Sequence, residues 1–300
     1  MFPGRRICPR KCTADPPVFW QSAGAAGVEG VRSRLSRREL IRVAGAGAAG
    51  SAMWATLPLA IAASSVPEAL EELLAGRKGI ESARLRLDLP RRFDYGNTVP
   101  LAVAVDGPRT AGDHVERVSV LAEGNPFPEV ASFHFTPESV ASASTRIRLN
   151  SGQREVVAVA ELSDGSVWLG RRTIEVAVSG CGVEAGVESG DVVRRPEPRL
   201  TVPAAVHRSE IVEIKTMISH RMETGLRVDS AGHPIPRRII NRMVCSRDGE
   251  AIFAADLSPA IAANAYLNFY VVARESAVLS FTWHEDGGAV YRATRALTVN

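Results

Sequence analysis

The sequence predicts an all-β protein of two immunoglobulin-like antiparallel β-sandwich domains in tandem, preceded by one short helix. Three observations carry this. Short strand-like apolar runs recur every ten residues or so through residues 84–178 and again through 211–299. Turn-forming clusters separate the runs, as they do in sandwiches of short strands. Between the two series, residues 184–203 lose apolar periodicity and carry Gly, Pro and charge instead, which reads as a linker. The expected domains are therefore 64–183 and 204–300, after a leader at 1–63.

Taken in order, Val66 to Gly76 places Ala69, Leu70, Leu73 and Leu74 at helical spacing and ends in glycine, so it predicts a short amphipathic helix. The period then changes. Arg84 to Leu89 alternates strictly, and strand-like runs follow at 99–105, 115–122, 130–135, 145–149, 156–162 and 167–178. Their turns are Gly96-Asn97, Asp106-Gly107-Pro108, Asn125-Pro126 and Ser163-Asp164-Gly165-Ser166. The second series runs through 211–218, 238–245, 251–255, 268–275, 278–283 and 289–299. Asp248-Gly249 and Asp286-Gly287-Gly288 are its hairpin signals.

The leader holds Ser36-Arg37-Arg38-Glu39-Leu40, then an apolar stretch from Val43 to Ala63 broken by Gly45, Gly47, Gly50 and Pro58. It reads as a twin-arginine export signal whose small residues Ala60 to Ala63 suit a signal peptidase, not as a retained anchor. The chain is then expected in the periplasm, off the membrane once the signal is cleaved. Residues 1–30, with Cys8 and Cys12, are odd ahead of such a signal; the simpler reading starts translation near Val28 or Val31. The formal charge is +3, but residues 1–63 contribute nine basic and three acidic residues, leaving 27 basic against 30 acidic over the remainder. Basicity thus belongs to the leader, and no nucleic-acid partner is expected.

The chemistry-bearing stretch is Ser179-Gly180-Cys181-Gly182, directly after the strand-like run 173–178. A cysteine between glycines, where the apolar pattern has stopped, is expected on a mobile and accessible arm. The competing reading is a glycine-rich turn with an incidental small hydrophobe. No Lys, Arg or His adjoins Cys181 in sequence; the nearest charges are Glu175 and Glu184, so nothing local activates the thiol. Cys245 is apolar-flanked and strand-borne and is expected in a core. Arg146 and Arg148 alternate with Ile147 and Leu149, which reads as a solvated strand face. The six histidines show no paired ligand spacing, so no metal site or cofactor is expected. There is no catalytic triad or phosphate loop, and no enzyme activity is expected. A thiol oxidoreductase is disfavoured because Cys181 lacks a resolving cysteine nearby.

Two constellations resemble a known family. Ile214 to Gly225 (IKTMISHRMETG), Ile235 to Asn241 (IPRRIIN) and Ala255 to Asn264 (ADLSPAIAAN) closely resemble the Z subunit of the SoxYZ carrier of bacterial sulfur oxidation. Gly96-Asn97-Thr98-Val99-Pro100, Asn125-Pro126, Phe133-His134-Phe135, Ser144 to Leu149, Val157 to Glu161 and Ser163 to Ser166 resemble the Y subunit, whose glycine-rich arm carries the substrate cysteine. The resemblance implies a carrier in which Cys181 holds a sulfur compound covalently, Ser179, Gly180 and Gly182 form the swinging arm, and periplasmic sulfur-oxidation enzymes act on the cargo. It further implies that the Y-like and Z-like halves pack against each other. Two departures stand out: in the Y subunit the arm is a free terminus whereas here a second domain follows, and Ser179 and Val183 stand where the family has glycine. Both make delivery into a narrow tunnel harder. The layout resembles more closely a fused form of the carrier found beside pyrroloquinoline-quinone (PQQ) alcohol dehydrogenases, which leaves a non-covalent accessory module for such a quinoprotein as the alternative.

Overall fold

The structure is a computed structural model that describes residues 65–107, 112–181 and 196–300. The leader, Gly182 and most of the expected linker lie outside the described residues. One helix, α1 (Val66–Leu74), opens the described chain. Ser65 caps it: its hydroxyl accepts from the Glu68 amide while the Glu68 carboxylate accepts from the Ser65 amide, a reciprocal arrangement that satisfies two otherwise orphaned donors. The helix ends two residues earlier than the glycine predicts. Ala75 takes the left-handed conformation, φ 47°, and its amide reaches back to Glu71 and Glu72.

Strands β1 (Gly79–Glu81), β2 (Leu85–Asp88), β3 (Arg92–Tyr95), β4 (Val99–Val105), β5 (Val115–Ala122), β6 (Glu129–Phe135), β7 (Ser139–Ile147), β8 (Gly152–Leu162) and β9 (Val167–Val178) make the first half. The second half holds β10 (Pro198–Thr201), β11 (Ala205–Val206), β12 (Ile211–Ile218), β13 (Ile240–Arg247), β14 (Glu250–Leu257), β15 (Tyr266–Val272), β16 (Ala277–Glu285) and β17 (Val290–Val299). Strand β10 falls inside the span expected as linker, where Arg199 and Leu200 pair with Met217 and Thr216 of β12. Prolines at both of its flanks hide it from a periodicity search.

These strands build two layers. One sheet runs β1-β9-β8-β5-β6-β14-β13-β16-β17-β11, with β3 also paired to β9; the other runs β10-β12-β15-β7-β4-β2. Both layers cross from one half of the chain to the other. In the first, β6 pairs antiparallel with β14 from Phe135↔Phe253 to Leu257↔Ala131; in the second, β7 pairs with β15. Pairing satisfies edges that separate sandwiches would leave open. Phe253 of β14 stacks on Phe269 of β15 with ring centroids 3.9 Å apart, and Phe133 and Phe135 of β6 close around Phe253 at 6.5 and 5.8 Å. One hydrophobic core therefore lies between the layers and spans the seam.

The strand β8 is buried on both faces, which explains its unbroken apolar run Val156 to Ala160. Val156, Ala158 and Ala160 face the common core, while Val157 and Val159 face Leu70, Leu73 and Leu74 of α1. Arg77 fastens the helix by donating to the Leu73 and Leu74 carbonyls and to Glu161. Among the described residues no helix is long and apolar enough to cross a membrane, and no cluster of three or more His, Cys, Asp or Glu side chains is placed to hold a metal.

Candidate functional site

Two backbone hydrogen bonds hold the segment that carries Cys181, and a third ties together the two stretches it docks on. As β9 ends, the Gly96 amide donates to the Val178 carbonyl at 2.8 Å. The Leu149 amide donates to Gly96 at 2.7 Å, and the Gly180 amide donates to Leu149 at 2.8 Å. Beside them the Ser179 hydroxyl donates to Asn150 Oδ1 at 2.6 Å. The chain is thus latched to the turn after β3 and to the segment joining β7 to β8.

Gly180 is buried, and its lack of a side chain serves proximity more than freedom. A Cβ there would lie 1.9 Å from the Gly96 carbonyl oxygen, and a Cβ on Gly96 would lie 2.1 Å from the Leu149 oxygen. Where the sequence predicts a mobile, open arm, the structure shows the segment docked up to Cys181 and the thiol only partly exposed. Gly182 lies outside the described residues.

The thiol points at an acceptor. Cys181 Sγ donates to Asn125 Oδ1 at 3.6 Å. The orientation of that amide is fixed by partners of fixed polarity: Asn125 Nδ2 donates to the Arg148 carbonyl at 2.8 Å, and Oδ1 accepts from the Asn150 amide at 3.2 Å. A buried acceptor favours S–H over a thiolate. Burial raises the Cys181 pKa to about 11, against the opposing pull of the Arg148 and Arg154 guanidiniums. The docked thiol is therefore a poor nucleophile near neutral pH, because the thiolate is the reactive form.

Those two arginines correct a second expectation. By sequence no cation adjoins Cys181, yet folding brings Arg148 and Arg154 within electrostatic reach. Arg148, read from its alternation as a solvated strand residue, is 5% exposed. Strand β7 ends at Ile147, so Arg148 falls where the chain leaves the ladder and the period-two rule lapses. Its Nη1 donates to the Met222 carbonyl at 2.7 Å and to Pro259 at 3.1 Å, and its Nη2 donates to Arg221 at 3.2 Å. Burial lowers its pKa, while Cys181 and Glu223 act the other way. Arg146 keeps to the expected exposed face, its guanidinium 5.1 Å above the Tyr266 ring. Arg154 is tied to the Asn150 and Ser151 carbonyls and packs where a side chain on Gly124 would stand.

Sequence reasoning named Ser179, Gly180 and Cys181, and the structure brings them together. It passed over Asn125, Arg148, Asn150 and Arg154. Gly96-Asn97 and Asn125-Pro126 were legible as turns and as part of the resemblance to the Y subunit, but not as contacts of the arm, against which both lie. Cys245 is fully buried on β13, and burial drives its thiol pKa far upward, so it offers no second reactive thiol. Both described cysteines are free.

The family described as "Sulfur oxidation protein SoxY" matches residues 70–181, a match that ends on Cys181. "Sulphur oxidation protein SoxZ" matches residues 200–296. No curated protein matches the chain. Among solved structures, the sulfur carrier protein SoxY from Chlorobium limicola f thiosulfatophilum is 24% identical over 38% of this chain and 97% of its own, with a TM-score of 0.33. The superoxide reductase (neelaredoxin) from Ignicoccus hospitalis is 17% identical over 38% of this chain and 94% of its own, with a TM-score of 0.29. With SoxY and SoxZ matched in order along one polypeptide, the chain belongs to the SoxYZ family of sulfur-oxidation carriers as a single-chain SoxY–SoxZ fusion.

Proposed function

We propose that this protein is a periplasmic carrier, exported by the twin-arginine route, that holds a sulfur compound covalently on Cys181 and presents it to partner enzymes. The observation that supports this most is the latched but partly exposed thiol at the end of the SoxY match, on a segment held by few bonds. Loading joins the cysteine sulfur to a cargo sulfur: Cys–SH and a cargo thiolate give a disulfide-type bond, one proton and two electrons, and the electrons leave to a partner redox enzyme. Among the described residues no base adjoins Cys181, which suits a carrier whose visited enzymes supply activation. The docked segment is its resting state; delivery requires Gly180 to leave Leu149, after which Ser179 to Cys181 extend by at most about 10 Å.

The SoxZ half is structural partner and docking surface. The partners are sulfur-oxidation enzymes, or a PQQ-dependent dehydrogenase system in the alternative reading. The test is an intact mass spectrum of protein purified from the periplasm, before and after reductant, beside Cys181→Ser. A reductant-labile adduct on the native protein and none on the variant is expected. A clean thiol on cells grown with reduced sulfur, together with unchanged function in Cys181→Ser, would transfer the assignment to a non-covalent accessory module. The same spectrum locates the cleavage site.

A further inference from the structure

We propose that Arg148 is the anion-holding group of the carrier: its guanidinium, fixed in place by the SoxZ half, takes the acidic end of a sulfur adduct on Cys181, so that the docked site favours oxyanion-bearing cargo over neutral cargo. This deepens the reading of Cys181 as the attachment site and rests on it.

A buried arginine ordinarily faces a carboxylate, because an uncompensated buried charge is costly. Arg148 does not. Among the described residues its guanidinium is held by three main-chain carbonyls, at Arg221, Met222 and Pro259, all from the SoxZ half. Those three contacts engage three of the five N–H donors that a guanidinium carries. The remaining two, on Nε and Nη2, meet no partner among the described residues. Glu223 is the carboxylate whose charge reaches Arg148, but its oxygens are engaged by Arg227, at 3.3 and 3.1 Å from Nε. Among the described residues the arginine is thus oriented by neutral groups and keeps its net charge and two unengaged donors.

The same residue is bound into the cysteine site through its own backbone. The Arg148 carbonyl accepts from Asn125, whose Oδ1 receives the thiol, and the next carbonyl, Leu149, accepts from Gly180. Charge on the Cys181 sulfur raises the pKa of the guanidinium, and the guanidinium in turn pulls the thiol pKa down. In a bare thiol the anion is missing. An adduct that ends in a sulfonate places three oxygens beyond the cysteine sulfur, a geometry that a planar, two-pronged donor recognises well. Arg154 is the weaker candidate: it is more exposed, and carbonyls of its own turn already hold it.

The test loads the cysteine chemically and so does not depend on what the cell attaches. Methyl methanethiosulfonate converts Cys181 of the purified chain to a neutral S-methylthio adduct, with methanesulfinate leaving. Sulfite then displaces methanethiolate to leave an anionic S-sulfonate, and intact mass confirms each form. The S-sulfonate form is expected to melt about 2–4 °C above the S-methylthio form, the shift that a modest stabilisation gives a chain of this size. Arg148→Gln should close that gap and Arg148→Lys should keep part of it, while Arg154→Gln leaves it open. A merely structural Arg148 would lower both melting points and preserve the gap. The proposal is overturned if the wild-type forms melt together, or if the gap survives in Arg148→Gln. Should that variant not fold, the wild-type gap and Arg148→Lys still decide. An absent adduct in the periplasm would refute the carrier reading without touching this comparison.

Discussion

Gly180→Ala should convert a guarded thiol into an open one. The added Cβ would stand 1.9 Å from the Gly96 oxygen, 2.0 Å from the Gly96 carbonyl carbon and 2.3 Å from the Asn97 nitrogen. These are backbone atoms, so no rotamer change relieves the clash, and the Gly180 to Leu149 hydrogen bond must break. Cys181 then leaves Asn125 and its pKa falls from about 11 toward the ordinary 9.0. Two pH units raise the thiolate fraction at neutral pH by about 100-fold. A less basic thiolate is also a weaker nucleophile, with a Brønsted slope of about 0.4–0.5, which returns nearly a factor of ten. Alkylation by iodoacetamide should therefore quicken by roughly tenfold, with easier access adding to it, and the midpoint of its pH–rate profile should move from about 11 to about 9. Equal rates and an unmoved midpoint in a folded Gly180→Ala protein would show that the segment is undocked in solution already. Gly96→Ala meets the Leu149 oxygen at 2.1 Å and should behave the same way.

Three further outcomes follow from the same geometry. The native Cys181 pKa lies above the unfolded one, so the docked thiol's contribution is complete below about pH 9 and is lost as pH rises to about 11. Wild-type stability measured by urea should accordingly fall relative to Cys181→Ser across that window, by at most about 1.4 kcal/mol per unit; parallel curves would refute it. Phe253→Ala should cost about 3–5 kcal/mol in urea unfolding, because the ring stacks on Phe269 and touches both Phe133 and Phe135; a loss under about 1 kcal/mol would mean that the seam is not a shared core. Cys245 should resist Ellman's reagent in the native protein and react only on unfolding, since it is fully buried on β13.

Much of the fold was readable because strand and turn signals are local. Ile211–Ile218 alternates in burial along its whole length, as its side chains predict. The seam was not readable, since pairing of β6 with β14 joins residues more than a hundred apart and either partner alone looks like an ordinary strand. Strands β1 and β3 escaped for a related reason: each is three or four residues long and exists through parallel pairing with β9. At the site, glycine and cysteine were conspicuous, but glycine's meaning was not. A flexible tether and a close-packed latch use the same residue, and only the position of Gly96 separates them. Arg148 escaped because a rule about alternation holds inside a ladder, and β7 stops one residue before it.

The arrangement around Arg148 also gives the fusion a physical purpose. Among the described residues the SoxZ half offers no side-chain hydrogen bond to the thiol, yet three of its carbonyls, at Arg221, Met222 and Pro259, hold a buried guanidinium whose charge reaches it. The Arg148 amide donates to Ala260 of the same half at 2.6 Å, and the Ala262 amide returns a bond to Arg146 at 2.9 Å. Without that half, Arg148 would lose its anchors and turn toward water, and the electrostatics of Cys181 would change although every residue of the arm remained. In separate subunits this completion depends on protein concentration. In one chain it is intramolecular, at an effective concentration set by the linker. What the single chain surrenders is a free chain end after Cys181, because the polypeptide continues into β10. The fusion thus secures the anchors of the cation whose charge acts on the thiol, and on the carrier reading proposed above it would also restrict how deeply that thiol enters a partner.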